Sequence, residues 1–237
     1  MGSPMKSVLF LSAVSAAILT GCATKGVSTA DHTNPQTPKF VAEKFVNNSQ
    51  TNVWDKLVKN MASSFFAINN IDKESRIINL SFSSDKPQDY IDCGRTRRTY
   101  FDGKTTETYE YGTADNIVTY KVASNTQPHP SVSQSFLLIR TAKLEGRANV
   151  YVAPEDTGTR LTVNTKSVVH IKINGALVNL HAMGHEVGRQ TLPTQNIELS
   201  AVTKGATENM VTNGQKVETI ICHSTGALEK AILDLAN

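Results

Sequence analysis

Apolar residues follow a helical period in two short segments near the ends of the sequence. The first covers residues 51–62 and the second covers residues 226–235, and in both the apolar positions three and four apart share one face. We therefore expect one helix near the start of the folded body and another at its end. The apolar residues of the two faces are Trp54, Leu57, Val58, Met61 and Phe65, and Leu228, Ile232 and Leu235.

Between these helices, apolar and polar residues alternate, as they do in strands with one buried face. Turn-forming residues divide the first six alternating segments into three pairs, and each pair is expected to form a hairpin. In the first hairpin, Ile78, Leu80 and Phe82 are expected to face the core. The alternating segments are residues 65–68, 77–82, 105–111, 116–122, 147–152, 160–173, 195–203 and 217–222.

The order of helix, antiparallel strands and helix predicts an α+β fold. We expect one curved antiparallel sheet packed by an N-terminal and a C-terminal helix, in a helix-grip-like arrangement. Strands do not alternate with helices, which argues against a Rossmann fold or a TIM barrel. Residues 39–237 are expected to form a single domain, with a possible internal break in the Pro-containing segment 124–134.

Residues 1–21 have the pattern of a secretory signal. Lys6 precedes an uncharged apolar stretch at residues 7–19. As a helix this stretch would reach about 20 Å, which is too short for a hydrocarbon core of roughly 30 Å. We therefore expect a cleaved signal peptide and not a permanent membrane span.

The signal ends in Leu19, Thr20, Gly21 and Cys22, which together resemble the lipobox of bacterial lipoproteins. In that family the signal is cut before the cysteine, which receives a diacylglyceryl group and usually an N-acyl chain such as palmitate. The resemblance implies this role for Cys22. Because Ala23 and not an aspartate follows, it also implies sorting to the outer membrane, with the body on the periplasmic face. The alternative is an ordinary signal peptide with a chance cysteine.

Residues 22–38 contain few large apolar side chains and include Gly26, Pro35 and Pro38. This composition is typical of a flexible tether. Fully extended, it would hold the folded body up to roughly 50 Å from the membrane.

Composition and charge narrow the class of protein. The chain has 237 residues, with 24 basic against 21 acidic side chains and a net charge of +3. The mean hydropathy of −0.25 is too polar for a protein with many membrane spans. The chain is also too apolar and too weakly charged to be wholly disordered. This near balance of charge gives no reason to expect a nucleic-acid partner.

Two cysteines remain once Cys22 is assigned to lipid. Cys93 follows the first predicted hairpin and Cys222 ends the last predicted strand. Export places both in an oxidising compartment, where thiols tend to pair, so we expect a disulfide between them. The alternative is a redox or nucleophilic thiol, which a CxxC motif would support, but the sequence contains none.

No catalytic or metal-binding motif stands out in the sequence. His181 and His185 have the spacing of two ligands on a helix, but Gly184 weakens a helix there and the HExxH order is absent. Ser224 follows His223 and is better explained as a helix cap than as a nucleophile. We expect no catalytic residues, no metal and no cofactor, and a hydrolase is the least favoured class.

A basic cluster with aromatic neighbours is the one candidate binding patch. It comprises Arg95, Arg97, Arg98 and Tyr100. Such residues bind anionic groups, which in an exported lipoprotein would belong to lipid headgroups, lipopolysaccharide or acidic partner surfaces. The alternative is a solvated strand face.

An acylated Cys22, a tether and a helix–sheet–helix body resemble the BamC (NlpB) type of outer-membrane lipoprotein. Those proteins are accessory parts of the β-barrel assembly machine. Segments 90–94 and 222–226 are also similar to segments of uncharacterised proteobacterial lipoproteins.

The leading hypothesis is a non-enzymatic lipoprotein, held at the membrane by its lipid anchor. It would act as a scaffold or accessory component of an envelope assembly, through an envelope protein partner. The settings considered are a β-barrel assembly machine, a secretion apparatus and a conjugation apparatus. The alternative is a carrier of lipid or another small hydrophobic ligand in a pocket under the curved sheet.

Overall fold

The structure is a computed structural model that describes residues 26–237 except 125, 127, 128, 130, 214 and 215. Strands account for 61% of it and helices for 12%. The predicted α+β class, with one sheet packed by two terminal helices, is therefore wrong. The protein is mainly β, with several sheets in a sandwich-like body, because many strands rich in threonine and charged residues lack the apolar alternation that marks a strand in sequence.

Fourteen strands and two α-helices are described. The strands before the chain midpoint are β1 (Val27–Thr33), β2 (Glu43–Val46), β3 (Ala67–Asp72), β4 (Ile77–Ser84), β5 (Ile91–Asp92), β6 (Arg95–Phe101), β7 (Thr106–Gly112) and β8 (Ile117–Ala123). Those after it are β9 (Val132–Glu155), β10 (Gly158–His181), β11 (Glu186–Thr191), β12 (Gln195–Val202), β13 (Thr207–Asn213) and β14 (Lys216–Ser224). The helices are α1 (Gln50–Ala62) and α2 (Ala227–Asp234), with a short 3₁₀ turn at Pro87–Asp89.

A hairpin of two 24-residue strands, β9 and β10, forms the centre of the largest sheet. The two strands pair along their whole length, from Glu155 opposite Gly158 to Val132 opposite His181. The predicted hairpin in this region is confirmed, but its turn is only two residues long and its strands extend further. Several shorter strands pair along its two edges, β4 and β8 on β9, and β2, β12 and β11 on β10.

The first predicted hairpin is confirmed, since β3 pairs with β4 and Ile78, Leu80 and Phe82 are buried. The second is wrong. β7 pairs with β6 and β8 pairs with β9, so the turn between β7 and β8 carries the chain from one sheet to another. Asp115 holds this turn by accepting the Gly112 N–H. Segment 124–134 connects β8 to β9, which are paired neighbours in one sheet.

Two three-stranded sheets accompany the large one, in the orders β1-β6-β7 and β13-β14-β5. The first of these sheets includes part of the predicted tether. Val27–Thr33, inside segment 22–38, forms β1 and pairs with Arg95–Phe101. Segment 22–38 is therefore not a free linker along its whole length.

Both predicted helices are present at the expected positions. Ser49 caps α1 by accepting the Asn52 N–H, and the helix begins at Gln50, one residue before the predicted start. Both helices bury their apolar faces in the main core, together with β4, β9, β10 and β12, but Phe65, predicted on the first of these faces, follows α1 and is exposed. The largest fully buried apolar side chains are Leu57, Met61, Ile78, Leu80, Ile91, Leu144, Leu161, Leu199, Leu228 and Ile232.

Candidate functional site

The predicted disulfide is confirmed. Cys93 and Cys222 are bonded, their Cα atoms lie 4.1 Å apart, and 129 positions separate them in sequence. Cys93 directly follows β5 and Cys222 lies in β14, which pairs with β5. The bond therefore fastens the last strand to an early segment of the body.

The predicted basic patch is divided between two faces of β6. Arg95 and Arg97 are exposed, and Arg97 forms an ion pair with Glu110 on β7, with a distance of 3.3 Å between nitrogen and oxygen. Arg98 and Tyr100 lie on the opposite face, where Tyr100 is buried. Alternation along a strand places neighbouring residues on opposite faces, so the four residues do not form one surface.

Arg98 belongs to an interior cluster of arginine and tyrosine side chains near the end of the long hairpin. Its Nε donates to the Tyr111 hydroxyl at 2.7 Å, and its guanidinium lies 4.7 Å from the Tyr120 ring centre. Arg140 is only 4% exposed and donates to the carbonyl oxygens of Thr113 and Asp115. Burial lowers the pKa of Arg140. These contacts make the cluster part of the packing of this end of the sheet.

A groove that the sequence did not predict lies on the face of the large sheet that is turned away from the main core. It has a volume of about 580 Å³ and is formed by residues of β3, β4, β9 and β10, together with Phe65 just before β3. We call it the sheet groove. Its lining residues are Phe65, Ala67, Ser81, Phe82, Ser83, Glu145, Gly146, Arg147, Lys166, Val168 and His170.

The sheet groove continues into a second depression of about 420 Å³ that shares Ser81 and Arg147 with it. Asparagine side chains dominate this part. Asn70 pairs with Asn79, Asn79 with Asn149, and Asn149 with Asn164, so four neighbouring strands carry asparagine at one level of the sheet. We call these four residues the asparagine row. Within the described part of the chain, their side-chain amides have no hydrogen-bond partner.

Two unpaired cations lie beside the asparagine row. Arg147 and Lys166 are exposed and directly opposite each other on β9 and β10. No carboxylate among the described residues forms an ion pair with either of them. Further along the groove lie two carboxylates, since His170 is 3.1 Å from an oxygen of Glu198 and 3.8 Å from one of Glu145. The positive charge of the groove is therefore concentrated next to the amides.

Glu229 forms a separate polar cluster inside the core. It is 0% exposed and accepts hydrogen bonds from the hydroxyls of Thr165, Thr203 and Ser224. Ser224 also accepts the Gly226 N–H, but the N-cap of α2 is Gly226 and no side chain caps the helix, so the predicted cap role of Ser224 is wrong. No solvent reaches the Glu229 carboxyl group, so this cluster joins α2 to the sheet and does not offer a site for a substrate.

The histidines singled out in the sequence do not assemble a metal site. The rings of His181 and His185 are stacked 4.9 Å apart in the turn between β10 and β11. Over the residues that the structure describes, no group of three or more potential metal-binding side chains is found. Cys22 and the predicted signal segment 1–21 lie outside the described residues.

No family model, curated protein or solved structure matches the chain. In the described part of the chain, neither helix has the length and apolar character needed to span a bilayer. The site is therefore defined by its own geometry. It consists of unpartnered amides, two adjacent cations and an exposed aromatic ring, Phe65, which together can hold a polar anionic ligand.

Asn79, Asn149, Arg147 and Lys166 were not recognised as site residues from the sequence. One signal was present, because Asn79 and Asn149 each occupy the polar position in the middle of an alternating segment. What the sequence could not supply is the register that brings them side by side.

Proposed function

We propose that this chain is a non-enzymatic periplasmic lipoprotein, anchored to the outer membrane by Cys22, that binds a component of the cell envelope through the sheet groove. In this role it serves as a scaffold or accessory component of an envelope assembly. The observation that carries the proposal is the open groove with its unpaired amides and cations. The lipobox resemblance at Leu19–Cys22 and the disulfide support an exported location.

The position of β1 sets how far the body could stand from the membrane. Strand β1 begins at Val27, five positions after Cys22. An extended chain of that length reaches about 17 Å, not the roughly 50 Å expected for a free tether. A lipid on Cys22 would therefore hold the sheet β1-β6-β7 close to the membrane surface.

The alternative of a lipid carrier has less support. The sheet groove is lined by serines and by charged side chains, including Glu145, Arg147 and Lys166. Sites for acyl chains are lined mainly by apolar side chains. The lining favours a polar ligand over a hydrophobic one.

Lipid attachment is tested by labelling cells with an alkyne-bearing palmitate and separating inner from outer membranes. We expect label on the wild-type chain in the outer membrane. We expect none on Cys22→Ser, which should be found in the soluble periplasmic fraction. Label retained on the serine variant would contradict the anchor.

Binding through the groove is tested in cells by placing a photo-crosslinking amino acid at Ser83, which lines it. Lys56 is the matched control, because it is an exposed residue of α1 away from the groove. We expect an envelope component to be captured from position 83 and not from position 56. Equal capture from both positions would refute a role for the groove.

A further inference from the structure

The asparagine row runs against the local preference of a sheet. Asparagine is depleted in strands because its amide competes for backbone hydrogen bonds and packs poorly on the pleated surface. Here four neighbouring strands carry it at one level. The residues on either side of Asn149, Ala148 and Val150, are buried, so the asparagine side chain faces outward. Four adjacent strands thus carry, in register, a residue that sheets disfavour. Such departures from local preference are expected at functional surfaces.

The opposed cations break a second rule. Like charges directly across a pair of strands destabilise the sheet. Arg147 and Lys166 form such a pair. On the adjacent strands, Ser81 lies opposite Arg147 and Val202 lies opposite Lys166, so neither cation faces a carboxylate there. An anion bound between the two cations would remove this repulsion and could accept hydrogen bonds from both.

We propose that the sheet groove binds an acidic glycan, a chain of pyranose units bearing carboxylate groups. This inference rests on the proposed function, since it names the ligand of the same groove. Each amide of the asparagine row offers two donors and one acceptor, which is the complement of neighbouring sugar hydroxyls. Strands are spaced by about 4.8 Å, so the row spans about 14 Å, enough for more than one pyranose unit.

Two aromatic rings flank the row. Phe65 is 59% exposed at the edge of the groove. Tyr151 is 42% exposed and lies two positions beyond Asn149, on the same face of β9. Their faces can pack against the C–H faces of pyranose rings. Arg147 and Lys166 then bind the carboxylates.

An acidic peptide fits this surface less well. Extended peptides are usually recognised at the edge of a sheet, where free backbone groups add a strand. The asparagine row lies on the face of four paired strands, and the backbone groups of β4 and β9 are already used in pairing. This face presents side-chain amides, which can form hydrogen bonds with sugar hydroxyls.

The test is calorimetric titration of the full-length chain, purified in detergent. The probes are a mannuronate hexamer, a neutral cellohexaose and a glutamate hexapeptide. We expect binding of the mannuronate hexamer, at least about tenfold weaker binding of cellohexaose, and weaker binding of the peptide. Binding of the mannuronate hexamer should weaken as salt is added, because the carboxylates are partly held by charge.

Matched variants locate the binding. Asn79→Ala combined with Asn149→Ala should lower affinity for the mannuronate hexamer about tenfold, whereas Asn196→Ala, an exposed strand asparagine elsewhere, should not. Arg147→Gln should lower it by a similar factor and reduce its salt dependence. Arg95→Gln is its control, as an exposed strand arginine outside the groove. Circular dichroism verifies that each variant is folded.

The inference is overturned if the mannuronate hexamer does not bind, or if the asparagine and Arg147 variants bind it as well as their controls do. Equal or tighter binding of the glutamate hexapeptide would also overturn it, since the groove would then recognise carboxylate charge without the sugar hydroxyls. Capture of a protein from position 83 in cells, without glycan binding, would leave the proposed function standing and remove the glycan. Loss of all capture from position 83 would instead remove the proposed function.

Discussion

The Glu229 carboxyl group lies in the core, where its partners among the described residues are three hydroxyls and no cation. Two of those hydroxyls, on Thr165 and Thr203, also contact each other at 2.9 Å. Such a network stabilises a fold only while every member is satisfied, because each buried group left without a partner pays its full desolvation cost. One acidic residue therefore fixes the position of α2 against β10.

Glu229→Ala should lower the free energy of unfolding by about 3 kcal/mol, since it removes the shared acceptor of three buried hydroxyls. Glu229→Gln keeps an acceptor oxygen and the volume, so it should cost clearly less. Glu208→Ala is the control, because Glu208 is exposed on β13. Urea unfolding measures all three, and equal midpoints for Glu229→Ala and Glu208→Ala would contradict the role of the network.

Tyr109 offers a second test at single-residue scale. Burial, together with its hydrogen bond to Glu107, raises the pKa of Tyr109 to about 12. Glu107 is also bound by Lys121 at 2.6 Å, and these two hydrogen bonds lower the pKa of its carboxyl group. The folded-state pKa of Tyr109 exceeds the unfolded value of about 10. Its contribution to stability is therefore complete below pH 10 or so and is lost as the pH rises towards 12.

In a spectrophotometric titration of the folded chain, we expect a late step near pH 12, in which the Tyr109 hydroxyl ionises. Tyr109→Phe should remove that late step. Glu107→Gln should move it to lower pH, because the amide accepts a hydrogen bond without adding negative charge. A late step that persists in Tyr109→Phe would assign it to a different tyrosine.

At the scale of elements, the long strand β9 comes close to its neighbour β4 at Gly146. A Cβ atom there would lie 2.2 Å from Cζ of Phe82, a buried core residue. Glycine at this position allows the phenyl ring to lie directly against the backbone of β9. The contact fixes the spacing of the two strands at the sheet groove, which Phe82 and Gly146 also line.

Gly146→Ala should lower the free energy of unfolding by about 1–3 kcal/mol through overpacking. In the Phe82→Leu background, the same substitution should cost less, since the smaller side chain leaves room for the methyl group. Gly188→Ala is the control, because its Cβ would meet only the Asn179 side chain, at 3.1 Å. Chemical unfolding of the double-mutant cycle measures the coupling, and strictly additive costs would contradict the contact.

The sequence was informative about single elements and much less so about their partners. Alternation identified β4 and its inward residues Ile78, Leu80 and Phe82, because burial of one face imposes that period. It did not reveal that β8 pairs with β9 and not with β7, since the pairing depends on where distant strands lie. Strand β1 is not predicted from the sequence, because VSTADHT has one large apolar residue and no alternation.

The candidate site was harder to predict than the fold. Arg95 and Arg98 looked like one patch because they are close in sequence, but a strand places them on opposite faces. The asparagine row is the converse case, in which residues from 70 to 164 become neighbours only through register. The disulfide was predictable because the expected export and the cysteine count together left one pair.

At the scale of the whole molecule, the bond between Cys93 and Cys222 closes a loop of 129 positions. Loops of this length lose much conformational entropy on closure, so a bond across one stabilises the fold by constraining the unfolded chain. The bond joins β14, and with it α2, to the segment that precedes β6.

Cys93→Ala combined with Cys222→Ala should lower the free energy of unfolding by about 4–5 kcal/mol. Cys22→Ser, which leaves the bond intact, is the control and should unfold like the wild-type chain in the same detergent. Urea unfolding under non-reducing conditions makes the comparison. A reducing agent should bring the wild-type chain close to the double variant, and a wild-type chain unaffected by reduction would contradict the assignment.

The long hairpin also decides the order in which the chain can fold. Among the described strands, β2 pairs only with β10 and β8 only with β9, yet both are synthesised before the hairpin begins at Val132. A chain that emerges from its N-terminus therefore carries open edges on these strands until residue 141 has followed for β8 and residue 162 for β2. Unpaired edges of this kind attract other chains. Over that interval the chain is more open to association with other chains than a protein built from local hairpins would be.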